Sequence, residues 1–303
     1  MCPMDREYFL YTPDKIDETK TYWLLVGVHF YKGQGRTALG LHNWVENGEC
    51  IVVGPTFPSN GYQVLLHGSD RQLIGVFDEL KKEYRLHSRM FLFGFSGGAQ
   101  FVHRFTLKHP ELVAGCSAHS GGSWSLGKEF GTAAADQVPF VFSCGQGDVG
   151  LAGEGVPYGR LEYCHKFEDR LSDQGFYYKA GYWEDQGHGF SAGVWNLTHE
   201  LWRFVSTGLH DYERKTLDQA FEEVDALIKS RKRKEAAAIL DGIEARYGPE
   251  SKQIVDDGQN PDGWRINHSV AKAAHGRAWP SISERLTEAR RLARGLPPRR
   301  PGK

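Results

Sequence analysis

Short, nearly unbroken apolar runs alternate with stretches of helical spacing over the first two thirds of the chain. The runs Tyr22 to His29, Cys50 to Gly54, Arg89 to Phe95, Leu112 to Ala118, Pro139 to Cys144 and Phe176 to Trp183 are short and rich in β-branched and aromatic residues. That is the pattern of strands covered on both faces. A further strand near Tyr8 to Tyr11 would add an edge. Between them, Leu73, Val76, Phe77 and Leu80 recur on one helical face of Ser69 to Arg85, with Ser69 in the position of an N-cap. Ala99 to His109, Gly159 to Gln174 and Val194 to Leu209 have the same period. The alternation predicts an α/β fold with a mostly parallel central sheet and helices on both faces.

Beyond Asp211 the strand pattern stops. Leu217, Phe221, Val224 and Leu227, then Ala236, Leu240, Ile243 and Tyr247, predict a helical hairpin that halts at Gly248-Pro249. The division is therefore 1–210 as an α/β domain and 211–303 as a C-terminal helical extension ending in a frayed basic tail. Charge changes at the same place, from net acidic before it to net basic after it. The run Arg231 to Lys234 and the PPRRPGK end read as a solvated helix face and a loose terminus.

Composition narrows the function classes. The 37 basic and 38 acidic side chains nearly cancel in 303 residues, which leaves no electrostatic footprint for nucleic acid or an anionic membrane. No apolar window approaches the roughly 18 residues of a membrane span, and MCPMDREYF lacks the apolar core of a signal peptide. The compartment stays open between a cytoplasmic protein and an exported one whose leader was removed. The 36 glycines call for many tight turns. The five cysteines, Cys2, Cys50, Cys116, Cys144 and Cys164, have neither CxxC spacing nor an even count, which leaves room for one buried pair at most and argues against zinc.

The chemistry-bearing signal is Gly94-Phe95-Ser96-Gly97-Gly98, a G-x-S-x-G set between a strand and a helical run. A sharp strand-to-helix turn strains its central residue and needs small neighbours, so that the hydroxyl projects above the sheet edge. A serine hydroxyl is a poor nucleophile, so it requires a base, and the base requires an orienting acid. The strand Pro139 to Cys144 runs into Gly145-Gln146-Gly147-Asp148, and Phe176 to Trp183 runs into Glu184-Asp185-Gln186-Gly187-His188-Gly189. Both glycine-rich loops fall where catalytic groups of parallel sheets gather, outside the strands' carboxyl ends. Asp136, Asp169 and Asp185 compete with Asp148, as His119 and His199 compete with His188. No histidine pairs with acids or cysteines at metal-ligand spacing, so neither metal nor cofactor is expected.

From about residue 6 to 210 the chain resembles the α/β-hydrolases, most closely the bacterial polyhydroxybutyrate depolymerase-like and feruloyl-esterase-like carboxylesterases, through GFSGG, GQGD and DQGHG. The resemblance implies a Ser96 nucleophile, Asp148 as orienting acid, His188 as general acid and base, and a small-molecule or polymeric ester as substrate. In that family the first long strand ends in His-Gly, whereas here Phe30 follows His29. Backbone donors do not depend on side chain, so the amides of Tyr31 and Gly97 are the expected oxyanion hole. His29 reads as a hydrogen-bonded loop histidine. Phe30, Trp124, Tyr158 and Trp195 are aromatic candidates for the substrate cleft, with Trp124 and Trp195 equally readable as packing.

Three rivals are weaker. Gly33-Gln34-Gly35-Arg36-Thr37-Ala38 matches a dinucleotide fingerprint, but its strand ends too early and the next one ends in Gly54-Pro55 without an acid. A serine exopeptidase would use the same machinery on an amide bond. A non-catalytic binding or scaffold protein would retain the cleft alone.

Overall fold

In a computed structural model, the structure describes residues 7–57, 61–127, 135, 138–153, 155–174, 176–207, 209–247, 274–277 and 288–295. The strands are β1 Tyr8–Tyr11, β2 Tyr22–Val28, β3 Cys50–Pro55, β4 Leu86–Phe95, β5 Val113–His119, β6 Phe140–Gly145, β7 Tyr178–Trp183 and β8 Ala274–Arg277. They form one sheet in the order β1-β3-β2-β4-β5-β6-β7-β8. The six strands from β3 to β7 in that order pair in parallel, and β1 and β8 close the two edges antiparallel.

The helices are α1 Ser69–Glu83, α2 Gly97–Lys108, α3 Arg160–Asp173, α4 Ala192–Ser206, α5 Leu209–Lys229 and α6 Arg233–Tyr247. Side-chain alternation along the strands divides the core in two. Leu24, Val26 and Val28 of β2 and Met90 and Leu92 of β4 pack with Leu73, Val76, Phe77 and Leu80 of α1 and with Phe101 and Phe105 of α2. Leu25 of β2 and Phe91 and Phe93 of β4 point the other way, against Val194, Leu197, Leu201 and Trp202 of α4. A third cluster joins Phe221 and Val224 of α5, Ala236, Leu240 and Ile243 of α6, and Ala289 and Ala293.

Two expectations are corrected. Ser69 is the first residue of α1 rather than its cap; Gly68, at φ 76°, occupies the cap position, and Ser69 Oγ turns to the Tyr62 carbonyl at 3.4 Å. The left-handed backbone there suits glycine, which the N-cap preference for Ser does not capture. Strands do not stop at residue 211, because β8 pairs with β7. Four residues with no apolar alternation gave no signal, and the open edge of β7 supplies the pairing. The described cysteines, Cys50, Cys116, Cys144 and Cys164, are all free and buried. Cys2, Asp136, Gly248-Pro249 and the PPRRPGK end lie outside the described residues.

Candidate active site

Every element of the site leaves the carboxyl edge of the sheet. β4 ends at Phe95, and Ser96 turns the chain into α2 with φ 55° and ψ −115°, a conformation that costs a non-glycine residue strain energy. The turn closes only because its neighbours lack side chains. A Cβ on Gly94 would run into the Gly98 backbone, and one on Gly98 into the Val28 carbonyl. Two backbone bonds hold the turn: Ser96 N–H donates to the His119 carbonyl at 2.9 Å, and Gln100 N–H to the Ser96 carbonyl at 3.2 Å.

The two other loops are tied to each other as well as to the sheet. Gln146 N–H donates to the Trp183 carbonyl and Gly147 N–H to the Gln186 carbonyl, both at 2.9 Å, which sets the loop after β6 against the loop after β7. Asp148 is buried, its N–H on the Gly145 carbonyl at 3.0 Å and its own carbonyl accepting from Leu161 N–H at 3.0 Å. Gln186 Nε2 donates to the Gly189 carbonyl and bridges the turn that carries His188.

These constraints bring three sequence-predicted residues into one line. His188 Nδ1 lies 2.7 Å from Asp148 Oδ2, and His188 Nε2 lies 3.1 Å from Ser96 Oγ. An ionised carboxylate only accepts, so Nδ1 carries the proton and Nε2 is left to accept from the serine hydroxyl. The acid side chain is 2% exposed and the imidazole 34%, so the line runs from the interior outward to the mouth. Phe95 flanks the imidazole, ring centres 5.2 Å apart.

Beside Ser96, the Gly97 and Tyr31 backbones approach closely. A Cβ on Gly97 would stand 2.8 Å from the Tyr31 nitrogen and 2.8 Å from the Tyr62 hydroxyl. Gly97 begins α2, where N–H groups have no intrahelical partner. His29 and Tyr62 organise this loop. His29 Nδ1–H donates to the Phe30 carbonyl at 2.8 Å, and its Nε2 accepts from Phe57 N–H at 3.0 Å. Tyr62 Oη donates to the His29 carbonyl at 2.8 Å. Burial holds His29 below the ordinary imidazole value, against a smaller opposing effect of its bond to Phe30, so the neutral ring needed for these two roles is the stable one.

The aromatic candidates separate. Phe30 and Tyr31 are half exposed, at 50% and 45%, at the mouth. Trp124 is not at the mouth: it is buried against Phe167, His103 and Phe142, with ring centres 4.6, 4.9 and 6.0 Å away. Its place in a loop near the sheet edge did not reveal which way the ring turns. Tyr158 packs edge-on against Tyr163 and carries the Lys166 ammonium over its face at 4.5 Å. Trp195 stacks on Phe93 at 5.2 Å and on Phe190 at 6.0 Å. Phe190 was missed from sequence. It is 43% exposed, stacks on Phe95 at 4.2 Å, and stands two residues after His188, which was the available signal. Arg160 was missed too, its Nη1 lying 3.4 Å from Asp148 Oδ1.

The competing histidines lie elsewhere. His119 is buried among Ser117, Ser143 and Thr198, and His199 stacks on Trp44. Asp185 is exposed. The loop of the dinucleotide-like motif packs its Gly35 against the Gly54 backbone, which accounts for that glycine by close approach. Among the described residues no group of three or more His, Cys, Asp or Glu is placed to hold a metal ion, and no helix is long and apolar enough to cross a membrane.

Comparison with known proteins gives no match to any protein-family model and none to the curated proteins. Solved structures do match. A phospholipase/carboxylesterase from Dyadobacter fermentans DSM 18053 superposes with TM-score 0.51 at 15% identity, over 66% of this chain and 98% of that one. This chain has the α/β-hydrolase fold. The α/β-hydrolase core is also similar to fluorophosphonate-binding serine hydrolase F from Staphylococcus aureus, with TM-score 0.51 at 14% identity, over 66% of this chain and 92% of that one. A thermostable esterase is matched with TM-score 0.49 at 17% identity over 59% of this chain, which spans about half, 50%, of that esterase's length. At these identities the α/β-hydrolase likeness is one of fold.

Proposed function

We propose that this protein is a serine hydrolase that cleaves carboxylic esters through an acyl-enzyme. The observation that carries the reading is the hydrogen-bonded line from Ser96 through His188 to buried Asp148, at 3.1 and 2.7 Å. Ser96 Oγ attacks the ester carbonyl as His188 Nε2 takes its proton, and the tetrahedral oxyanion rests on the Tyr31 and Gly97 amides. His188 then gives the proton to the departing alcohol. Water repeats the sequence on the acyl-enzyme, while Asp148 stays ionised and stabilises the imidazolium.

Phe30, Tyr31 and Phe190, exposed beside these groups, flank the substrate, and Trp195 braces Phe190 from behind. Such a rim suits short acyl, aromatic or polyester chains. The neighbours named as a carboxylesterase and a serine hydrolase share the fold and are consistent with this chemistry. The test is hydrolysis of p-nitrophenyl esters from acetate to decanoate, with a hydroxycinnamate ester and an aminoacyl anilide alongside, by wild type and Ser96→Ala. Ester turnover that vanishes in the variant is the expected result. Anilide cleavage without ester cleavage would replace the esterase reading with the exopeptidase one.

A further inference from the structure

Asp148 has two carboxylate oxygens, and only one faces the imidazole. Oδ2 meets His188 Nδ1 at 2.7 Å, while Oδ1 lies 3.4 Å from Arg160 Nη1. The same Nη1 reaches the Gly150 carbonyl at 3.4 Å. Arg160 opens α3, and its placement does not depend on the side chain alone. Its backbone N–H donates to the Gly150 carbonyl at 3.1 Å, and the next residue, Leu161, donates to the Asp148 carbonyl at 3.0 Å. The acid side chain is 2% exposed and that of the arginine 20%, so both charges are largely withdrawn from solvent.

We infer that Arg160 is a positioning residue for the proposed site, a permanent counter-charge that holds the second oxygen of Asp148 and limits how strongly that carboxylate grips the His188 proton. A guanidinium keeps its charge at every working pH. Sharing one carboxylate between a fixed cation and an imidazole weakens the field that stabilises imidazolium, so His188 is released to act as a base at lower pH. The other groups around the acid do not substitute for it. The Cys144 thiol of β6 is 3.9 Å from Oδ2, and behind it lie Cys164 of α3, Tyr182 of β7 and Glu168. Burial pushes the Cys164 thiol up, which keeps it neutral. Glu184 and Asp185, on the His188 loop, are exposed to solvent. Of all these, Arg160 alone brings positive charge.

The kinetic part of the test rests on the catalytic reading above, so a second readout is independent of it. The His188 ring is titrated by NMR in wild type, Arg160→Gln and Arg160→Lys, its signal assigned by its loss in His188→Gln. Arg160→Gln keeps a donor towards Gly150 and removes the charge; Arg160→Met supplies the neutral side chain if the first variant does not fold. The midpoint of the neutral variant is expected to rise by about half a pH unit or more, with Arg160→Lys returning towards wild type. The acidic limb of kcat/KM for p-nitrophenyl acetate should move the same way. Equal midpoints in all three proteins would overturn the inference and reduce Arg160 to a loop clip. If wild type neither cleaves esters nor is labelled at Ser96 by a fluorophosphonate, the catalytic reading falls while the NMR titration still decides the role of Arg160.

Discussion

The amide nitrogen of Tyr31 lies 2.8 Å from the point where a Cβ on Gly97 would stand. The gap between these backbones is thus too narrow for any side chain at position 97, and in the proposed mechanism it is the space an oxyanion would enter. Gly97→Ala is expected to cut kcat by about 10²-fold or more, the scale of losing one oxyanion donor. The Michaelis constant should change far less. Unchanged kcat in a folded variant would remove this pair from the site.

Tyr62 sets the same gap from behind, through its bond to the His29 carbonyl at 2.8 Å. Tyr62→Phe leaves that carbonyl without its partner at a cost of about 1–2 kcal/mol in stability. Its kcat should fall by about tenfold as the Tyr31 amide loses definition. Denaturant midpoints and steady-state kinetics measure the two effects separately.

Ser96 holds φ 55° and ψ −115° although it has a Cβ. Glycine enters that region without penalty, so Ser96→Gly should be inactive and more stable than wild type by about 1 kcal/mol. Urea unfolding checks this, and equal or lower stability would show that the elbow stores no strain.

Asp148→Asn keeps shape and removes charge. An amide at that position can present its NH₂ to Nδ1 and favour the wrong tautomer of His188, so kcat should fall by about 10⁴-fold, the scale of losing the orienting carboxylate of a serine protease. A loss no greater than about tenfold would transfer the orienting role to another carboxylate.

Acid should destabilise the fold earlier than carboxylates alone require. Burial holds His29, His103 and His119 below the ordinary imidazole value, His119 at about 3. Below about pH 6.5 the unfolded chain takes up protons that these folded rings refuse. Stability is therefore full above about 6.5 and falls as pH drops towards 3, each ring adding a slope of about 1.4 kcal/mol per unit over its own window. Urea unfolding from pH 7 to 4.5 should show a shallower slope in His119→Gln; an identical slope would mean that this ring is protonated in the fold.

Much of this was legible in the chain because the informative residues carry their constraint locally. The spacing of Leu73, Val76, Phe77 and Leu80 marks the buried face of α1, where all four are fully buried. Ser96, Asp148 and His188, which the fold brings into one hydrogen-bonded line, stand out in the chain because each sits in a glycine-rich turn directly after an apolar run. What stayed hidden depends on how distant segments meet. Trp124 turns into the core because Phe167 and His103 wait there, and neither neighbour is local. Arg160 touches Asp148 only after the intervening excursion folds back. The β8 pairing likewise comes from the exposed edge of β7.

That excursion is pinned at its two ends. Leu161 and Arg160 donate backbone bonds to Asp148 and Gly150, and Leu151 bridges Gly159, so the chain between them leaves and returns at one point. Closing a longer loop over a fixed span costs little, about 0.6 kcal/mol for each doubling of length. Evolution, or an engineer, can therefore lengthen, shorten or replace the stretch between Leu151 and Gly159 while the acid keeps its place.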